Sequence, residues 1–416
     1  MSDDRHQIPT VRPGDQPITS IDQDAMEWKR HIHALLRTIE RAETPFVLGV
    51  YGGWGSGKTS FVNCLADVAE AGNYSETPNY EWLVLKVNPW ECDTPEDAKR
   101  LITSSLWAYA LTNKPWYTWS GLRQWLRRAG RRGDDGAAGV LDTCARLAGI
   151  GPLGSAVQKL LGSDAGLAAE RRHKFRQDLA LALGRQEDGT YRRRLLVVID
   201  DLDRCRSEVI PEVLETVKLY LDQEGCVFVL AADPIRIGQV LGEAYATKDA
   251  DGNAENANRV GKRFLEKIVQ LPFWVPRMSP TDADSFFSEC ACMLHPEVPV
   301  GKEMRKLLLD HLLQRNPRSI KRFCITHGLL AQLQRDVNGD KLAKILAIDW
   351  YFPRTYESYA SPGDGASLLL KHQRDARGDT EDVAGRDLLE KTLKVVLAED
   401  PPFGDEEDVE RYFQLT

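Results

Sequence analysis

The stretch Phe46–Asn63, FVLGVYGGWGSGKTSFVN, restricts what this chain can fold into more than any other. Its apolar start, Phe46, Val47, Leu48 and Val50, reads as a buried strand that stops at a glycine pair. Gly52-x-x-x-x-Gly57-Lys58-Thr59 then matches the phosphate-binding loop in full. Phe61, Val62, Leu65 and Ala66 continue it as an apolar helix. Strand, glycine loop and helix in that order point to a parallel α/β sheet with a phosphate held at the strand's carboxyl end. The expected cradle is Gly52, Gly53, Trp54, Gly55, Ser56, Gly57, Lys58, Thr59 and Ser60, with glycine wherever a Cβ would block the ligand's approach. Lys58 is expected to reach the β- and γ-phosphates, and the Thr59 hydroxyl to hold Mg²⁺.

Leu195–Asp203, LLVVIDDLD, is the second signal. Five apolar residues form a strand buried on both faces, and the run ends in acids, the arrangement of a Walker B strand. Asp200 is expected to hold Mg²⁺ through water opposite Thr59, and Asp201 to orient or deprotonate the attacking water. Asp203 and Arg204 have two readings, a bridge to a neighbouring subunit or a cap on the next helix.

Around these motifs the pattern alternates between strands and helices. Residues 22–41 read as one helix before the first strand, and Trp82–Val87 as a strand ending at Asn88-Pro89-Trp90. Asn88 or Trp90 at that tip would approach the γ-phosphate, or simply cap the loop. Val227–Ala232 is a further buried strand, and Asp233 at its tip is either a sensor of the γ-phosphate or the N-cap of a helix opened by Pro234. Leu271–Val275 is a last strand, which Pro272 and Pro276 assign to a sheet edge. From Ser279 the pattern is helical, with helices expected at 282–293, 302–315, 319–333 and 340–351. Asn316-Pro317 reads as N-cap and first residue, placing Arg318 where a lid helix would meet the nucleotide, or on the surface. Beyond Tyr351 one more helix is expected, over 386–398.

Residues 114–132, KPWYTWSGLRQWLRRAGRR, interleave Trp116, Trp119 and Trp125 with five arginines. A membrane-surface helix, a nucleic-acid patch, a partner-docking helix and a plain helix with solvated arginines all fit. Lys plus Arg number 54 against 62 Asp plus Glu, a formal net charge of -8, which argues against wholesale coating of nucleic acid. The 8 cysteines are scattered, with no zinc spacing, and read as free thiols of a reducing compartment. The first residues have no apolar core for a signal peptide, and no apolar run approaches the ~20 residues of a membrane span. The expectation is a soluble, cytoplasmic protein.

GVYGGWGSGKTSFVN, NPW, VVIDDLDRC, VFVLAAD, RFLEKIVQLPFWVP and NPRSIKRF together resemble the KAP family of phosphate-loop NTPases over about residues 18–330. The resemblance implies an α/β fold with a parallel P-loop NTPase sheet of the additional-strand, AAA+-like kind, followed by an α-helical lid. It implies ATP as the nucleotide and a switch driven by it, in many bacterial members within anti-phage defence operons. Partners would be further copies of the chain or proteins of the same operon. Many members carry transmembrane helices between the phosphate loop and the acidic strand, and residues 110–190 here have none. The expected divisions are a flexible 1–20, an NTPase domain 21–275 with a helical insertion at about 110–190, a lid 276–350, and a C-terminal extension 351–416. A non-hydrolysing, ATP-bound scaffold and a nucleic-acid motor are the alternatives.

Overall fold

A computed structural model describes residues 14–76, 79–112, 176–187, 189–219, 223–245, 257–294, 297–333, 337–378 and 388–415. The basic, tryptophan-rich stretch 114–132 lies outside them.

The described residues form five strands, β1 (Phe46–Tyr51), β2 (Glu81–Val87), β3 (Arg193–Ile199), β4 (Cys226–Ala232) and β5 (Leu271–Trp274). All pairings are parallel, in the order β2-β3-β4-β1-β5. β4 therefore lies between the strand that carries the phosphate loop and the strand that ends in acids, which is the additional-strand arrangement. In β3 and β4 successive residues enter opposite cores, Leu195, Val197 and Ile199 on one side and Leu196 and Val198 on the other. That period of two, buried on both faces, is why these strands read as unbroken apolar runs. β5 pairs only with β1, so Pro272 costs the sheet nothing on its open side.

Helices α1 (Lys29–Arg41) and α2 (Lys58–Ala71) cover one face of the sheet. α3 (Pro95–Thr112), α4 (Val209–Leu219), α5 (Pro234–Tyr245) and α6 (Ala257–Ile268) cover the other. α5 and α6 touch backbone to backbone: a Cβ on Gly261 would lie 1.8 Å from the Gly238 carbonyl oxygen. Gly261→Ala is expected to cost about 1–3 kcal/mol by overpacking, read as a lowered thermal midpoint, whereas Gly238→Ala, with open space around its Cβ position, should cost far less.

Residues 22–41 are not one helix. A 3₁₀ turn, Ile21–Gln23, is separated from α1 by Glu27 at φ 53°, and Asp24 accepts hydrogen bonds from the amides of Met26 (2.8 Å) and Trp28 (2.6 Å). A carboxylate two and four residues back competes with the helix for those donors. Residues 14–20, expected to be loose, are tied down: Ile18 N donates to Ser60 Oγ (3.3 Å) and Ser20 Oγ to Asp67 (2.9 Å).

The helical part comprises α7 (Pro280–Leu294), α8 (Lys302–Leu307), α9 (Pro317–Leu333) and α10 (Gly339–Tyr351). Four more follow: α11 (Pro353–Tyr359), α12 (Gly365–Gly378), α13 (Leu388–Ala398) and α14 (Glu406–Phe413). The expected helix 302–315 instead widens into a π turn, Leu308–Leu312, and ends at Gln314 and Arg315, both left-handed at φ 52° and 53°. Arg315 is held there by Asp310 (2.6 Å), and the turn delivers Asn316 to the phosphate loop. One expectation falls short: beyond Tyr351 the described residues form four helices, of which only α13, expected over 386–398, is legible in the sequence. They contribute Tyr359, Leu369, Val396, Val409 and Tyr412 to the core that α7–α10 build. Lys344 of α10, wholly buried, donates to the carbonyls of Glu399 and Pro401, and burial depresses its amine to about 8.

Candidate nucleotide site

The phosphate loop leaves β1 at Tyr51, and Gly52 N still donates to Ala232 O of β4 (3.4 Å). Gly55 and Gly57 are left-handed, at φ 78° and 91°, a conformation that side chains rarely take. Crowding adds to the demand for glycine. A Cβ on Gly57 would lie 2.7 Å from the Trp28 ring, and one on Gly55 2.7 Å from Asn316 Oδ1. The loop is thus gripped from the α1 side by Trp28 and from the lid by Asn316, whose Nδ2 donates to Trp54 O (2.8 Å).

Lys58 opens α2 and lies back along the loop. Its Nζ donates to Gly52 O (3.0 Å) and Gly53 O (3.3 Å) and pairs with Asp203 Oδ2 (3.4 Å). Both side chains are nearly closed off, 8% and 9% exposed. This partnership is neither of the readings given to Asp203 from sequence. The other Asp203 oxygen and Ser56 Oγ are buried with no hydrogen-bond partner.

Asp200, at the end of β3, accepts from Asp201 N (2.8 Å), and the Thr59 hydroxyl beside it favours its charged form. Burial first, and then the neighbouring Asp201 charge, push its carboxyl above the ordinary carboxylate value. Asp201 is left-handed at φ 55° and accepts from Arg204 Nε (2.9 Å); burial raises its carboxyl too, while Arg204 pulls it back. Arg204 in turn lies over the ring of Trp90, 5.6 Å from its centre. Asn88 Oδ1 accepts from Trp90 N (3.2 Å) and Asp233 Oδ1 from Ile235 N (2.9 Å), so in this structure both act as caps.

Across the cleft, Asn316 caps α9 by accepting from Arg318 N (3.0 Å) and Ser319 N (3.3 Å). Arg318 and Arg322 both stand over the exposed Trp54 ring, 5.2 and 5.6 Å from its centre. Asp15, Trp54, Lys58, Thr59, Asp201 and Arg318 bound one cavity of about 230 Å³. Sequence reading missed Asp15 and Trp28 here, because neither belongs to a motif and each meets the loop only through the fold. Among the described residues no three acids, histidines or cysteines could hold a metal by themselves. The donors fit a Mg²⁺ that brings phosphate oxygens with it: a hydroxyl and a carboxylate in contact, beside a cradle of left-handed glycines.

The sequence profile of the KAP family P-loop domain matches residues 29–332. This chain belongs to the KAP family. Another protein similar to this KAP chain is the Phage T7 exclusion protein of Escherichia coli (strain K12), 25% identical over 270 residues. The match covers 62% of this chain and 33% of that protein, so the KAP chain spans about a third of its relative's length. Among solved structures, Drosophila ORC bound to DNA overlaps with a TM-score of 0.42 at 13% identity, covering 96% of this chain and 79% of that one. Aeropyrum pernix ORC1 in complex with DNA gives 0.39 at 12%, covering 97% and 83%. The KAP domain accounts for the phosphate loop and the sheet order, and its P-loop fold is a nucleotide-binding one.

Proposed function

We propose that this KAP protein binds ATP with Mg²⁺, hydrolyses it, and passes the change of nucleotide to a partner as a switch. The observation that carries the reading is the convergence of Lys58, Thr59, Asp201 and the lid residue Arg318 on one cavity, with Asp200 beside Thr59. Lys58 would leave the Gly52 and Gly53 carbonyls for the β- and γ-phosphates, and Thr59 with Asp200 would hold the metal. Mg²⁺, when bound, neutralises charge on the phosphate oxygens. Asp201 would orient the attacking water and accept its proton, and Asp233 would sense the γ-phosphate from the tip of β4. Arg318 would meet the transferred group from the lid.

The relative's name supports a place in defence against phage, with further copies or proteins of the same operon as partners. Among the described residues no helix is long and apolar enough to cross a membrane. The seven described cysteines are unpaired, which supports a cytoplasmic setting. Membrane-surface or nucleic-acid contact would fall to residues 114–132.

One observation favours the second reading, an ATP-bound scaffold that barely turns over: Asp201 is already engaged by Arg204. Steady-state phosphate release decides. Asp201→Asn should keep ATP and Mg²⁺ binding but lose roughly two to four decades in rate, the usual contribution of a positioned acid or base. Asp200→Asn should instead raise the Mg²⁺ concentration needed. A wild-type protein that binds ATP and releases no phosphate, alone or with its partners, would establish the scaffold.

A further inference from the structure

Three of the cations that face the cavity are matched to acids of the same chain. Lys58 has Asp203, Arg204 has Asp201, and Arg318 shares Asp15 with Arg322. Asp203 and Asp201 belong to the loop beyond β3. Asp15 arrives from 307 residues away in sequence. A single oxygen, Oδ2, accepts from Arg322 Nη2 (2.6 Å) and Nε (3.1 Å) and faces Arg318 Nε at 3.4 Å. Next to it the Gly14 carbonyl accepts from Lys321 Nζ (3.4 Å). Residues 14 and 15 thus engage all three cations on one face of α9.

The same segment is anchored at its other end to the nucleotide-binding side. Ile18 N donates to Ser60 Oγ, Asn63 Nδ2 donates to Ile18 O (3.1 Å), and Asp67 accepts from Ser20 Oγ and Ile21 N. Between the anchors, Asp15, Gln16 and Pro17 form a wall of the cavity. They leave about 230 Å³, below the roughly 300–1,000 Å³ of sites that enclose a small molecule. The remaining space suits phosphates better than a whole nucleotide.

We propose that Asp15 is a built-in substitute for a phosphate oxygen. Its carboxylate occupies Arg318 and Arg322, and the terminal phosphate of a nucleoside triphosphate takes Arg318 by displacing residues 14–17. The proposal rests on the reading of this pocket as a triphosphate site. Guanidinium binds carboxylate and phosphate by the same pattern of donors, so the exchange needs no rearrangement of the arginine beyond its rotamer. The strap lowers affinity when Asp15 is charged, and its release is coupled to occupancy.

Titration of the full chain with Mg²⁺ and a non-hydrolysable ATP analogue tests this. Asp15→Asn should bind about three- to thirtyfold more tightly than wild type, the combined worth of two partly exposed ion pairs. Asp15→Glu, which keeps the charge, should stay near wild type. Hydrogen exchange over residues 14–20 should become faster when the analogue binds. An Asp15→Asn affinity equal to that of wild type, or a segment that becomes more protected with nucleotide and so closes over it, overturns the proposal and leaves the pocket's assignment standing. A wild-type chain that binds the analogue no better than Lys58→Ala removes both.

Discussion

Lys58→Ala will lose ATP binding by on the order of two to four decades, since two charge-assisted contacts to phosphate contribute about 1.5–3 kcal/mol each. The structure adds a second consequence. Removing the amine strands Asp203, nearly closed off and already unpartnered at one oxygen. An acid left alone in such a place destabilises the fold. Lys58→Ala should therefore melt earlier than wild type, and the double variant Lys58→Ala/Asp203→Asn should recover part of that loss without recovering any binding. Calorimetric melting together with an ATP titration separates the two effects. ATP affinity unchanged in a folded Lys58→Ala protein would remove the site assignment altogether.

Arg318→Ala is expected to have the largest effect on turnover. An arginine that meets the transferred phosphoryl group contributes roughly three to five decades in rate. Arg318 reaches the cavity from the same chain that supplies Lys58 and Asp201, so the loss should be the same at every protein concentration. Mixing the variant with Lys58→Ala subunits should restore nothing. Restoration on mixing would mean that the arginine acts across a subunit boundary.

The sheet was largely legible because each of its strands is a local signal. Apolar runs buried on both faces, a glycine loop, and prolines at an edge all declare themselves within a few residues. Asn316-Pro317 was legible for the same reason, capping being a contact between residues two and three apart. What escaped was everything made by distant partners. The acid facing Lys58 lies 145 residues on, and Asp15 meets Arg322 across 307. No periodicity encodes such pairs. Three of the last four helices escaped for a different reason, the expected one over 386–398 being α13. They are 7, 14 and 8 residues long, and each gives the core only a few side chains, too few to trace a stripe in sequence.

The shared core beyond Tyr351 has a mechanical consequence. Helices α7 to α14 bury one continuous set of side chains, and close-packed interiors of this kind transmit force with little deformation. Asn316 and Arg318 sit at the start of α9, where this body touches Trp54 of the phosphate loop. A pull on α9 would therefore turn the whole C-terminal third as a lever whose fulcrum is beside the phosphate loop. Displacement grows with distance from the fulcrum, so α14 would sweep a longer arc than Arg318 for the same angle.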